Sequence, residues 1–226
     1  MTEHDIPAAL VSRVRENLSP VRPLASPARR LLALVPLAAF LLLGPPLYWE
    51  WRDNLALLPG WTSWGLSLFE SFSGVALLGL ALRQAVPGLA VPTRWMLLAF
   101  AGAVTVFAAV SLITAQVLPT PLHDPDSWAR LSWECVWMEL VFAVPAIIVT
   151  GWLVARALPT RPALTGAAYG MAVGLMTDAG VRLFCWIDTP SHVFAAHGGA
   201  ILIGAVASAS VAATIERIKY RRLLRA

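Results

Sequence analysis

The sequence predicts an all-α integral membrane protein, a bundle of six transmembrane helices with both termini in the cytoplasm and a short soluble N-terminal segment. Three observations lead to this fold class. Of the 226 residues, 58% are hydrophobic and only 13% are charged, whereas a soluble domain carries about a quarter charged residues. Apolar runs of helix length recur with short polar breaks, and the basic residues concentrate in alternate breaks. The runs are continuously apolar rather than alternating, which favours helices over a membrane β-barrel.

The apolar runs define the predicted spans. A bilayer core about 30 Å thick needs about 20 apolar residues per helical span. Six stretches reach roughly this length: 31–48, 61–82, 95–118, 133–154, 162–184 and 193–215. They divide the chain into an N-terminal cytoplasmic segment (1–30), a transmembrane domain (31–215) and a basic cytoplasmic tail (216–226).

The basic residues orient the bundle. With a cytoplasmic N-terminus, the cytoplasmic segments hold fourteen of the 17 Lys and Arg residues. The outer loops hold only Arg52 and Arg130, and Arg182 lies just inside the outer end of the fifth span. This partition follows the positive-inside rule. The net charge of +4 is therefore a signal of topology, and no direct binding of nucleic acid is predicted.

The outer ends of the spans also carry an aromatic belt. Tryptophan is enriched where a membrane meets water, and five of the 10 tryptophans lie at these ends: Trp51, Trp61, Trp128, Trp133 and Trp186.

The N-terminal segment contains one short amphipathic helix. Ile6, Leu10 and Val14 recur every four residues and form one apolar face. The proline-rich stretch that follows is predicted to be extended; it comprises Pro20, Val21, Arg22, Pro23 and Leu24. Two interpretations stay open: a disordered tail whose basic residues touch anionic lipid, or a segment that folds on a protein partner and buries the apolar face.

Thiols and imidazoles collect on the predicted outer side. Cys135 and Cys185 fall at the outer ends of the fourth and fifth spans, and His192 and His197 follow at the start of the sixth. Two thiols at matched depth can form a disulfide, bind a soft metal ion, or simply pack as small apolar groups. Thiolate and imidazole together are good ligands for Zn²⁺ or Cu(I). In the alternative without a metal, His192 caps the sixth span and His197 forms a hydrogen bond inside the bundle.

Four ionisable residues lie within the predicted spans. Glu70 lies near the middle of the second span, Glu139 one turn below Cys135, and Asp178 and Arg182 form an i, i+4 pair in the fifth span. Such groups are costly in a membrane and usually pair or mark function. Either an Asp178–Arg182 pair, extended by Glu70, locks the bundle, or the acidic groups attract cations beneath the thiols.

Small residues predict one close helix contact. Gly166, Gly170 and Gly174 recur every four residues in the fifth span, a spacing that lets a neighbouring helix approach closely. The sixth span, rich in Gly and Ala, is the expected neighbour.

These features together resemble the NrsF-like family, the negative regulators of sigma F. The resemblance covers essentially the whole chain and rests on matching motifs: residues 18–24 with Pro27, Arg29 and Arg30, then Cys135 and Pro145, Leu158-Pro159 with Arg161-Pro162, the glycine run, and Cys185 with Pro190 and His192.

The resemblance implies a six-span anti-sigma factor in a bacterial inner membrane. Its implied partner is an extracytoplasmic-function sigma factor. We expect the segment around residues 5–24 to bind it, alone or together with the loops 83–94 and 156–161. In such proteins, paired cysteines on the outer side sense heavy metals or oxidants, and Cys135 and Cys185 are the implied residues. The sequence does not identify a cofactor, and a soft metal ion is expected as the signal.

Two other function classes fit the sequence less well. A thiol–quinone oxidoreductase wants a reactive Cys-X-X-Cys pair, whereas this chain has two widely spaced cysteines, so no enzyme is predicted. A small transporter or ion pathway would use Glu70, Asp178 and Arg182.

Overall fold

The protein is an all-helical bundle over the residues that the structure, a computed structural model, describes: 12, 16, 24–117, 125–157 and 159–223. The helices are α1 (Pro27–Leu32), α2 (Val35–Trp49), α3 (Leu66–Gln84), α4 (Thr93–Val117), α5 (Pro125–Ala155), α6 (Pro162–Val181), α7 (Pro190–His192) and α8 (Gly198–Leu223). A 3₁₀ turn lies at Asp53–Leu57, and π-helical turns precede α3 (Trp61–Gly65) and α8 (Val193–His197). No strand occurs within these described ranges, which confirms the all-α class.

Among the residues that the structure describes, five stretches are long and apolar enough to cross a membrane. They are Pro27–Trp49, Trp61–Gln84, Thr93–Val117, Ser132–Ala155 and Pro190–Lys219. They correspond to the first four predicted spans and to the sixth. The last helix does not end at residue 215, because α8 continues into the basic tail as far as Leu223.

The fifth predicted span, 162–184, forms the centre of the bundle. Its helix α6 has 20 residues, ends at Val181, and is not among the five stretches that meet the spanning criteria. Glycine, threonine and Asp178 lower its hydropathy. Nearly every residue from Thr165 to Val181 is buried, and α6 packs against α2, α3, α5 and α8. A helix covered by other helices does not need a lipid-compatible surface.

The outer faces of the surrounding helices are strongly apolar. Large side chains are more than half exposed along them, including Leu47, Phe72, Leu97, Ile148 and Leu202. An apolar surface of this extent is unusual on a soluble monomer. It fits contact with lipid, so the fold has the features of a helical membrane bundle.

The glycine run in α6 packs against α8, as predicted. A Cβ added to Gly166 would lie 2.5 Å from the Ser208 carbonyl oxygen, and one added to Gly170 would lie 2.5 Å from the Gly204 carbonyl oxygen. At Gly174 an added Cβ would lie 3.0 Å from Ile201 Cα. The two backbones therefore approach closely only because these positions lack side chains.

Candidate functional site

Two buried thiols lie in contact at one end of the bundle. Cys135 projects from α5, and Cys185 lies in the loop that follows α6. Their Sγ atoms are 3.7 Å apart, and both cysteines are free and buried. A disulfide requires a separation of about 2.05 Å. Two thiolates bound to one tetrahedral ion at about 2.3 Å would instead lie about 3.8 Å apart. The observed spacing is that of two thiols in hydrogen-bonding contact, and it is also close to the edge of a tetrahedral metal site.

Both predicted histidines face this thiol pair. His192 Nε2 is 3.8 Å from Cys185 Sγ, and His192 Nδ1 is 3.0 Å from the Ser132 hydroxyl. The ring centroids of His192 and His197 are 5.3 Å apart. One ligand atom from each of Cys135, Cys185, His192 and His197 lies within 4.8 Å of all the others. Two sulfur and two nitrogen donors in tetrahedral reach form a set that suits Zn²⁺ and other soft or borderline cations.

The π-helical turn Val193–His197 brings the histidines together. Five residues along a regular α-helix turn by about 500°, which would leave His192 and His197 about 140° apart around the axis. A π-helical turn takes up the extra residue and reduces this angle. Both rings therefore lie on the same side of the helix, at 1% exposure each.

The environment favours the charged form of one thiol. Cys185 lies beyond the last helical residue of α6, and the hydrogen bond from the Cys135 thiol holds the pKa of Cys185 well below its usual range. Contacts with His192 and His197 act in the same direction and together outweigh the opposing effect of burial. Thiolate is the form that binds metals and attacks disulfides.

A second layer of ionisable groups lies beneath the thiols. The Arg182 Nε donates to Asp178 Oδ2 at 2.9 Å and to Glu70 Oε2 at 2.8 Å. The Arg182 Nη2 donates to the Ser111 hydroxyl at 2.7 Å. These contacts agree with the first of the two alternatives, an Asp178–Arg182 pair extended by Glu70, and they join α3, α4 and α6.

His197 connects the two layers. Its Nδ1 is 2.5 Å from Asp178 Oδ1, whereas its buried Nε2 has no hydrogen-bond partner within the described part of the chain. Asp178, Glu139 and His197 form a further group whose ligand atoms lie within 4.8 Å of one another. Both Glu139 carboxylate oxygens are also buried without a partner among the described residues. The sequence placed Glu139 below Cys135 but gave no sign of the His197–Asp178 contact, because the π-helical turn is not visible in it.

The loop that carries Cys185 is held by an ion pair that sequence reasoning missed. Arg52 donates to both carboxylate oxygens of Asp188, at 3.1 Å and 2.6 Å. The Arg52 backbone N–H also donates to the Leu183 carbonyl at 3.2 Å. Arg52 and Asp188 lie in different predicted outer loops. Their common placement at the outer ends of the spans was the only feature of the sequence that could have indicated this contact.

The predicted partner-binding residues are for the most part outside the described part of the chain. This applies to Ile6, Leu10, Val14, Pro20, Val21, Arg22 and Pro23. Leu24 is described and 43% exposed. In α1, which follows Leu24, the Arg30 guanidinium donates to the Leu153 carbonyl near the C-terminal end of α5 and so connects the two helices.

Comparison with known proteins connects the chain with a described family. No curated protein and no solved structure matches the chain. The profile of one family, described as negative regulator of sigma F, matches residues 15–217, which is most of the chain. The matched region contains both cysteines, both site histidines and the buried ion-pair network. The protein therefore belongs to the family of negative regulators of sigma F.

Proposed function

We propose that this protein is a membrane-bound anti-sigma factor that holds an extracytoplasmic-function sigma factor and releases it when outward-facing thiols meet a heavy metal or an oxidant. The observation that carries the proposal is the convergence of four metal-ligand residues in a chain whose family is named for negative regulation of a sigma factor.

The proposed setting is a bacterial inner membrane crossed six times, with both termini in the cytoplasm and the helices in contact with lipid. The partition of Lys and Arg between alternate loops supports this orientation. Helix α6 has 20 residues and a length of about 30 Å, which suffices for one crossing.

The N-terminal segment 1–30 is proposed to bind the sigma factor. Its apolar face, formed by Ile6, Leu10 and Val14, would be buried against the partner, and the stretch 20–24 would lie extended beside it. The protein then regulates transcription by withholding the sigma factor and does not itself contact nucleic acid.

The signal is proposed to act on Cys135 and Cys185. A soft metal ion would be held by these thiolates with His192 and His197, and an oxidant would join the two sulfur atoms instead. An oxidant would draw α5 towards the loop that follows α6, whereas a metal ion would cross-link the two at nearly their present spacing. Because α6 and α8 pack backbone to backbone, a shift at the thiols would move these helices together and alter the cytoplasmic end of the bundle.

Co-purification from membranes tests the sequestering role. The tagged full-length protein should retain a sigma factor, identified by mass. A protein lacking residues 1–24 should still enter the membrane but lose the partner. The double change Leu10→Asp with Val14→Asp should act similarly, because burying two unpaired charges is very costly.

The Cys135→Ser, Cys185→Ser double variant is the matched control and should retain the sigma factor. Retention of the sigma factor by the truncated protein would show that other cytoplasmic segments hold it. Failure of the full-length protein to retain any sigma factor would contradict the proposed function.

A further inference from the structure

We infer that Asp178 is the positioning residue of the thiol site: it fixes His197 as a metal ligand and ties a bound ion to the Arg182–Glu70 ion pair. This inference rests on the proposed response to metal. It assigns a role to a carboxylate that does not itself contact the thiols.

The two ring nitrogens of His197 are in different situations. Nδ1 is 2.5 Å from Asp178 Oδ1, so this nitrogen is engaged. Nε2 is buried and makes no hydrogen bond to any described residue, although a buried polar atom normally has a partner. A metal-bound histidine typically uses one nitrogen for the ion and donates from the other to a carboxylate. His197 shows this arrangement, with Nε2 left for an ion.

The backbone also presents His197 to the site. The π-helical turn Val193–His197 ends at this residue, and such turns occur frequently at functional sites. The turn places the His197 ring beside His192. The hydrogen bond to Asp178 then restrains the rotation of the ring. Without the carboxylate, the ring would be free to turn its unpartnered nitrogen away from Cys135 and Cys185.

Asp178 also connects the site to the rest of the bundle. Its Oδ2 accepts from Arg182 at 2.9 Å, and Arg182 donates as well to Glu70 on α3 and to Ser111 on α4. A cation bound to His197 polarises the imidazole ring, so the hydrogen bond from its N–H to the Asp178 carboxylate becomes stronger. Asp178 then interacts less strongly with Arg182, and the ion pair between Arg182 and Glu70 becomes stronger. Ion binding at the thiols thereby changes the contacts among α3, α4 and α6.

A Co²⁺ titration of the purified protein in detergent tests this role. Co²⁺ replaces Zn²⁺ in tetrahedral sites and reports on its ligands through a thiolate charge-transfer band and visible d–d bands. The wild type should show both. Asp178→Asn should keep the charge-transfer band at saturation, shift the d–d bands, and weaken Co²⁺ binding about 10- to 100-fold.

Glu70→Gln is the matched control. Glu70 contacts the same arginine as Asp178 but does not position the His197 ring, so its loss should leave the d–d bands at saturation unchanged and weaken Co²⁺ binding less than Asp178→Asn does. In a His197→Ala background, Asp178→Asn should have no added effect on affinity, because Asp178 acts through His197. Equal losses of affinity in the Asp178→Asn and Glu70→Gln variants, or an added loss in the His197→Ala background, would overturn the inference.

A second variant covers the case in which Asp178→Asn does not fold. Asp178→Glu keeps the charge but moves the carboxylate by one methylene, and it should alter the d–d bands while the thiolate band persists. A spectrum identical to the wild type would contradict the positioning role. If the wild type itself shows no thiolate band, the proposed metal response fails together with this inference. A normal wild-type spectrum that is unchanged in the Asp178 variants overturns the inference alone.

Discussion

At the scale of single residues, the distance between the two thiols implies that metal binding and oxidation would change the site by different amounts. A tetrahedral ion needs almost no change in the 3.7 Å between the Cys135 and Cys185 sulfur atoms. A disulfide needs the sulfur atoms to approach by more than 1 Å, to about 2.05 Å. Metal binding is therefore the smaller structural change, and oxidation would pull α5 and the loop after α6 together more strongly.

Both thiols are expected to be necessary for the response. Cys135→Ser and Cys185→Ser should each abolish induction of a sigma-dependent reporter by Cd²⁺ or an oxidant, while repression without the inducer persists. A bridge needs two ends, so each single variant should be as defective as the double variant. Full induction in the double Cys→Ser protein would show that the signal enters elsewhere.

The histidines distinguish metal from disulfide. If an ion bridges the thiols, His192→Ala and His197→Ala should raise the metal concentration needed for half-maximal induction. If a disulfide forms, both variants should respond as the wild type does, and the thiols should resist alkylation after induction. Measuring reporter induction against the concentration of metal and, separately, of oxidant shows whether the histidines contribute to the response to each inducer.

The Arg52–Asp188 pair is expected to stabilise the loop that carries Cys185. The side chains are only 2% and 7% exposed, so Asp188→Ala would leave a buried guanidinium without its carboxylate. Breaking a buried pair costs about 3–5 kcal/mol, and the Tm in detergent should fall accordingly. The double change Arg52→Met with Asp188→Leu is the control, because removing both charges together is often neutral. An unchanged Tm for Asp188→Ala would mean that the pair contributes little.

At the scale of elements, the contact between α6 and α8 depends on missing side chains. At Gly170 an added Cβ would lie 2.5 Å from the Gly204 carbonyl oxygen and 2.9 Å from Ala205 Cα. Neither backbone atom can yield locally, so the helices would have to separate along their length. The same close packing is what lets a displacement of α6 move α8.

Gly170→Ala should therefore destabilise the bundle by about 1–3 kcal/mol, the usual cost of overpacking. Gly102→Ala on α4 is the matched control, since an added Cβ there meets no described atom within 4 Å and Ala favours a helix over Gly by about 0.5–1 kcal/mol. Thermal unfolding in detergent should show a lower Tm for the first variant and an equal or higher Tm for the second. Equal Tm values for both would contradict the packing role of Gly170.

Some elements could be predicted from the sequence for clear physical reasons. The helices that face lipid must be apolar throughout, so hydropathy alone locates them. The spacing of Gly166, Gly170 and Gly174 was enough to predict the contact with the last helix. Asp178 and Arg182 are one helical turn apart, so their pairing follows from local geometry.

Other elements depend on contacts between distant parts of the chain. The π-helical turn Val193–His197 has no signature in its residues, yet it decides where the His197 ring points. The pairing of Arg52 with Asp188 joins residues 136 positions apart. The four donor residues could be named from the sequence, whereas the support of His197 by Asp178 required the folded arrangement.

At the scale of the whole molecule, the two ends of the bundle differ chemically. One end carries both thiols, both site histidines and the Arg52–Asp188 pair. The other end carries basic residues near the helix termini: Arg30 contacts the α5 backbone, and Arg161 donates to the Thr93 hydroxyl at 2.7 Å. This polarity agrees with one end in a compartment that permits disulfides and the other in the cytoplasm.

The side of the membrane on which the C-terminus lies depends on the number of crossings. That number is six if α6 crosses the membrane and five if it does not. Six crossings return the chain to the side of the N-terminus, whereas five leave the C-terminus on the opposite side. Helix α6 is long enough to cross, and its burial by α2, α3, α5 and α8 removes the need for an apolar surface. We therefore expect six crossings.

Reporter fusions test this expectation directly. Fusions after Arg30, Arg83, Arg156 and Arg225 should all read as cytoplasmic, and fusions near Asp53, Asp126 and Asp188 as periplasmic. The fusions after Arg156 and Arg225 are the decisive pair, because α6 and α8 are the two crossings between them and only two crossings bring both to the same side. A cytoplasmic reading at Asp188 would put Cys185 in a reducing compartment and contradict an external thiol sensor. A cytoplasmic reading at Asp188 together with a periplasmic reading after Arg225 would mean that α6 is buried in the bundle without crossing the membrane.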